Sequence, residues 1–150
     1  MTETPQRTSP RQRTYEEVEV GDTLPVVTYP LPVHRLVLAA GGTRDYTAIH
    51  HNDAYARATG APAMYANAIL LQGMWERAVR DWIGSAGTVR ALRGFRMRRF
   101  TLVGSLARVE GTVVDKRRER ETGVVEIAMR TLVEDAVTVG PGTVVVTLPG

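Results

Sequence analysis

The sequence predicts an α+β fold in which an antiparallel sheet wraps around one long helix. Three observations carry that prediction. Residues 68–83 bear an unbroken helical stripe of apolar side chains. Residues 89–148 read as four strands separated by turn signals. Upstream of the helix there is room only for one strand and short helical segments. The 150 residues suit one domain, and a chain of this size buries about 68–70% of its unfolded surface. No internal repeat or second domain is visible. The expected organisation is a disordered polar tail over residues 1–14 and a single domain over 15–150.

The tail is rich in Pro, Thr, Ser, Gln and Arg, a composition that cannot build a core. Residues 24–31 read as a first strand with prolines at its ends, and residues 33–40 as a short helix ending at Gly41-Gly42. In the long helix Leu71, Met74, Trp75, Ala78, Val79 and Trp82 recur at i, i+3, i+4, i+7, i+8 and i+11. That is a 3.6-residue period. Asn67 is a suitable N-cap and Gly84 a suitable left-handed terminator. Residues 68–71 are apolar on all sides, which predicts that this end of the helix is buried all round. The strands are expected at 89–103, 107–115, 123–134 and 143–148. The turns between them are Gly104-Ser105, the charged run 116–121 with Thr122-Gly123, and Gly140-Pro141-Gly142. The last three strands should form a meander. This element order fits the hot-dog fold.

Composition narrows the function classes. There are no cysteines, so disulfides, thiolate metal sites and a cysteine nucleophile are excluded. Three histidines in all make a histidine-rich metal site an unpromising reading. No apolar run approaches the ~18 residues of a membrane span, and residues 1–14 lack a signal-peptide core, so the expected compartment is the cytoplasm. Lys+Arg number 19 against 16 Asp+Glu, a net charge of +3. Three of the arginines (Arg7, Arg11, Arg13) lie in the tail, which leaves the fold near neutral. Nine aromatics, few of them beside arginines, do not make a nucleic-acid surface.

The polar centre of the chain is residues 41–52, which hold Asp45, His50 and His51. A carboxylate can hold a water or orient an imidazole that titrates near neutrality, so Asp plus His is a working acid/base pair. Five residues on a regular helix lie about 140° apart, so a turn must intervene for the two groups to converge. Spacing leaves a second reading open, in which Asp45 caps the following helical turn and the histidines are surface residues.

The string Thr43-Arg44-Asp45-Tyr46-Thr47-Ala48-Ile49-His50 resembles the Ser-Gly-Asp-x-Asn-Pro-[Leu/Ile/Val]-His signature of the MaoC-like (R)-specific enoyl-CoA hydratases. Residues 20–25, the helix string 36–41, Tyr55-Ala56 and the long helix resemble the surrounding family pattern, and the likeness spans about residues 20–148. Thr47-Ala48 stands where the family has Asn-Pro, and Asn67-Ala68-Ile69 where it has His-Gly-Met. The variant pattern is similar to small actinobacterial MaoC-like subunits of steroid side-chain β-oxidation. The resemblance implies a hot-dog enoyl-thioester hydratase or dehydratase, adding water to a trans-2-enoyl thioester to give a 3-hydroxyacyl thioester. Asp45 and His50 would be catalytic, their acid and base roles left open. Asn67 and Ala68 would bind substrate, the Ala68 N–H at a helix N-terminus meeting the thioester oxygen. The thioester is of coenzyme A or an acyl carrier, with no metal or other cofactor. The expected partner is a second copy or a second MaoC-like chain. Two alternatives are a hot-dog acyl-CoA thioesterase and a non-catalytic acyl-binding subunit.

The remaining features read as structural or ambiguous. Arg90, Arg93, Arg96, Arg98 and Arg99 crowd the first strand after the helix; they either meet phosphates or an acidic carrier surface, or face solvent over apolar neighbours. The mixed run 116–121 reads as a solvated turn. Trp75 and Trp82 read as core or interface, His34 as a helix-start residue, and His51 as either a support for the site or a surface group.

Overall fold

The computed structural model describes residues 11–150. From the N-terminus, β1 (Val27–Pro30) leads into α1 (Val33–Gly42), a 3-10 turn (Ala48–His50), α2 (Asp53–Ala58) and the long α3 (Ala68–Ile83). Then follow β2 (Thr88–Arg93), β3 (Leu106–Glu119), β4 (Thr122–Val133) and β5 (Ala136–Leu148). All five strands join one antiparallel sheet in the order β1-β3-β4-β5-β2. The sheet curls over α3 in the hot-dog arrangement that the element order predicts.

The helical stripe explains why α3 sits there. Leu71, Met74, Trp75, Ala78, Val79 and Trp82 are all buried, joined by Ile83. They pack on the inner sheet residues Val109, Val113, Ile127, Val144 and Val146 in one continuous core, and such burial contributes roughly 1.5–3 kcal/mol for each large apolar side chain. Trp75 is wholly buried, and its indole N–H donates to the Thr131 hydroxyl on β4 at 2.8 Å. Asn67 caps the helix by accepting the Leu70 N–H at 2.9 Å, and Gly84 ends it at a φ of 80°. The first turn is not buried all round: Ile69 is 54% exposed. Of residues 68–71 only Leu71 falls on the stripe that faces the sheet.

The first strand is shorter than the expected 24–31, at Val27–Pro30, and three later strand boundaries differ from the sequence reading. The strand expected over 89–103 stops at Arg93. Gly94 turns the chain at a φ of 64°, and the following segment crosses from β5 to the start of α3. There the Arg98 and Arg99 N–H groups donate to Thr138 O, the Ala66 N–H to Thr101 O, and the Val103 N–H to Met64 O. The run 116–121 is mostly strand, not turn. Residues up to Glu119 pair with β4, and Arg117 is held by Asp115, Glu119 and Glu126. Alternating opposite charges on a strand face pair across it, so they do not force a loop.

The strand expected over 143–148 begins at Ala136 and passes through Gly140-Pro141-Gly142 as a bulge opposite residues 129–131. Gly140 has a φ of 87°, and an added Cβ would meet Met129 O at 2.8 Å and the Trp75 ring at 3.1 Å. The glycine is therefore needed inside the strand.

The tail expected over 1–14 lies, for residues 1–10, outside the described residues. Residues 11–14 are packed on the end of α3, where the Gln12 amide donates to Ile83 O at 2.9 Å and the Arg13 guanidinium stacks 4.7 Å from the Trp82 ring centroid.

Candidate active site

Asp45 owes its position to the way α1 ends. The helix runs on to Gly42, two residues beyond the expected 33–40, with Thr43 as its C-cap. Arg44 takes the left-handed conformation at a φ of 57°. The Arg44 N–H donates to Gly41 O and the Asp45 N–H to Ala40 O, the paired bonds of a Schellman terminus. A non-glycine residue in that region costs of order 1–3 kcal/mol. The chain then folds at once into the 3-10 turn that carries His50. This turn is what the five-residue spacing requires.

The structure brings Asp45 and His50 together. Asp45 Oδ2 lies 3.1 Å from His50 Nε2; the imidazole is buried, and 30% of the carboxylate side chain stays exposed. His50 Nδ1 is 2.7 Å from the Tyr65 carbonyl oxygen. A carbonyl only accepts, so Nδ1 carries a proton and Nε2 is the nitrogen left for chemistry. The Tyr65 ring packs edge-on to the imidazole with centroids 5.3 Å apart. On the other side of the pair, the Thr47 hydroxyl donates to Asp45 Oδ1 at 2.8 Å. That bond, helped by the Thr47 N–H, the facing His50 and the Asn67 amide, holds the Asp45 carboxyl below the usual carboxylate range against the opposing effect of burial.

Asn67 borders the same place, its amide acting on the Asp45 carboxyl. Besides capping α3, Asn67 donates through Nδ2 to the Thr43 hydroxyl at 2.8 Å, and that hydroxyl donates to Ala39 O. The bond ties the end of α1 to the start of α3. Ala68 opens the helix, and its N–H finds no acceptor among the described residues. Asp45 does not cap a helix: Thr47 stands at that position, and Asn52 caps α2. His51 is exposed and bonds the Tyr46 carbonyl at 3.2 Å, which makes it a surface group.

Two participants escape the sequence reading. Tyr65 acts through its carbonyl, which no side-chain pattern reveals. Thr47 had a signal, since a hydroxyl two residues after an aspartate is a frequent local bonding pair. Tyr65, whose ring packs on the imidazole, also lines a cavity of about 510 Å³ with Ala66, Leu71, Met97, Phe100 and Thr101, with Arg98 and Arg99 at its wall. The crowd of arginines divides. Arg90 pairs with Glu119, Arg93 lies 3.9 Å from Glu126, and Arg98 bonds Gly140 O. Among the described residues no cluster of three or more His, Asp or Glu side chains is placed to hold a metal ion, and no helix is long and apolar enough to cross a membrane.

Solved structures carry the same architecture. R-hydratase PhaJ1 from Pseudomonas aeruginosa superposes with a TM-score of 0.80 at 23% identity, over 91% of this chain and 85% of that one. The chain has the fold of the MaoC-like dehydratases and (R)-hydratases. An (R)-hydratase from A. caviae involved in PHA biosynthesis matches at a TM-score of 0.80 and 18% identity, covering 89% of this chain and 99% of that one. A chain of the ChsH1-ChsH2 complex from Mycobacterium tuberculosis matches at a TM-score of 0.74 and 23% identity, covering 87% and 98%. No protein-family model and no curated relative matches the sequence.

Proposed function

We propose that this chain is a MaoC-like enoyl-thioester hydratase, or a 3-hydroxyacyl-thioester dehydratase in the reverse direction. The observation that carries the reading is the 3.1 Å contact between Asp45 Oδ2 and His50 Nε2, with Nδ1 committed to the Tyr65 carbonyl. The likeness of fold to (R)-hydratases supports it. A water held by this pair attacks C3 of a trans-2-enoyl thioester. As the C3–O bond forms, one proton leaves the water and one arrives at C2, the carboxylate and imidazole sharing the transfer. The negative charge that grows on the thioester oxygen faces the unpaired Ala68 N–H and the N-terminus of the 16-residue α3, where backbone dipoles favour an anion.

The cavity beside Tyr65 falls in the ~300–1,000 Å³ range of small-molecule sites, and it is the natural place for the acyl chain. Coenzyme A or an acyl carrier holds the thioester. The resemblance to subunits of steroid side-chain oxidation, together with the likeness of fold to the ChsH1-ChsH2 complex, favours a bulky acyl group and an assembly with a second chain. Turnover compared along a series of enoyl-CoA substrates, from short chains to steroid-sized ones, tests that extension.

Asp45→Asn tests the reaction itself. The side chain is part-exposed and keeps its shape, so the melting temperature should hold while hydration falls by at least ~10². Near wild-type hydration in a folded variant refutes the reading. Thiol release without hydration would favour a thioesterase.

A further inference from the structure

We propose that Thr47 is a positioning residue: its side chain fixes one oxygen of Asp45 so that the other is the one presented to His50. The proposal rests on the reading of Asp45 and His50 as an acid/base pair. The terminal torsion of an aspartate is broad and two-fold, so nothing intrinsic to the residue selects which oxygen points where. Here the bond that distinguishes the two oxygens comes from Thr47. Asp45 Oδ1 accepts the Thr47 hydroxyl at 2.8 Å and lies 3.4 Å from the Thr47 N–H, leaving Oδ2 toward Nε2.

The imidazole has no freedom to follow a turning carboxylate, since its other nitrogen is anchored 2.7 Å from Tyr65 O in a buried setting. Thr47 also receives the His50 N–H on its carbonyl at 3.1 Å. One residue therefore holds both partners: its side chain sets the carboxylate and its backbone sets the turn that carries the ring. An alanine at the same place would keep the second function and lose the first.

The electrostatic surroundings of Asp45 make this measurable. The groups that face it are Thr47, His50 and the Asn67 amide, and Asp45 forms no ion pair with an arginine or lysine among the described residues. The Thr47 hydroxyl is the largest of the influences that hold the carboxyl down. A hydrogen bond donated to a carboxylate favours its charged form, so removing the donor raises the pKa.

The test compares Thr47→Val with Thr47→Ser. Thr47 is exposed, so neither change should unfold the chain, and a thermal melt checks that. The first readout is the titration of the Asp45 carboxyl carbon by NMR, which needs no assumption about the reaction. The valine variant should titrate at higher pH than the wild type, and the serine variant like the wild type. The second readout is the pH profile of enoyl-CoA hydration. The limb of the kcat/KM profile that reports Asp45 should move up in pH with valine, and kcat should drop roughly 10-fold or more with KM changed by less than about two-fold, as misplacement of a reacting group predicts. Serine should restore both. An unmoved titration in the valine variant overturns the proposal, as does a serine variant that behaves like valine. If no enoyl thioester is hydrated at all, the function assigned to the pair fails while the NMR titration still decides the role of Thr47.

Discussion

At the scale of single residues, the Asp45–His50 pair is held by groups that do not themselves ionise. Tyr65 O fixes the ring of His50, Thr47 fixes Asp45, and Asn67 ties Thr43 to the start of α3. Arg44, strained at a φ of 57°, is the hinge that turns the chain from α1 toward the pair. The Ala68 N–H is the proposed donor to the thioester oxygen, and it can be removed selectively. Asn67 has a φ of −79° and a ψ of 162°, the extended conformation that a following proline demands. Ala68 is the first residue of the helix, where proline is tolerated. Ala68→Pro should therefore lower hydration much more than it lowers the melting temperature. An equal loss of both, read from kinetics and a thermal melt, would make the residue structural and leave the thioester oxygen without its donor.

How much of this was legible in the sequence differs from residue to residue. Asp45 and His50 were picked out by their family-like string, because their spacing alone suits a surface cap equally well. Asn67 was legible as a cap, since its side-chain chemistry and its place before an apolar stripe point the same way. The Tyr65 carbonyl was not legible, because a backbone acceptor has no residue type.

At the scale of elements, period decided what could be read. The α3 stripe was plain because six buried positions follow one helical period. The strands were blurred at their ends because a glycine signals a turn and a bulge alike. Gly140 is a bulge pressed against Trp75, whereas Gly94 is a true turn that ends β2. The contact that joins helix to sheet most directly is the Trp75–Thr131 hydrogen bond, with both residues wholly buried. Thr131→Val keeps the shape and strands the indole N–H. The expected loss is about 1–3 kcal/mol, or a drop in melting temperature of roughly 2–4 °C for each kcal/mol in a chain near this size. A melt that does not move would mean that the indole finds another acceptor, and that packing against Phe95, at a centroid distance of 5.1 Å, is what holds Trp75.

At the scale of the whole molecule, the sheet is open at two edges. Of the strands expected at 89–103 and 143–148, the second is no edge, because β5 lies between β4 and β2 and is paired on both sides. The open edges are β2, at residues 88–93, and the four-residue β1. A row of unpaired backbone groups invites pairing with another chain. The deterrent that arginines on an edge would supply is weakened here, since Arg90 is engaged by Glu119 and Arg93 lies near Glu126. The apolar surface points the same way. α1 buries Leu36 and Ala40 yet leaves Val33 and Val37, one turn apart, and Leu38 exposed, and Tyr46 is 72% exposed in the loop that follows. Closed two-fold pairs are the commonest way to cover such surface. The chain is therefore expected not to work as a monomer. Light scattering on the purified chain should give a mass of at least twice its 16.5 kDa, and hydration should track the assembled species on dilution. A chain that is inactive or aggregates alone, and is rescued by a co-expressed second MaoC-like chain, would make the assembly a hetero-complex. A stable monomer with full activity would refute the expectation, and the exposed faces of α1 and β2 would then have no role in the reaction.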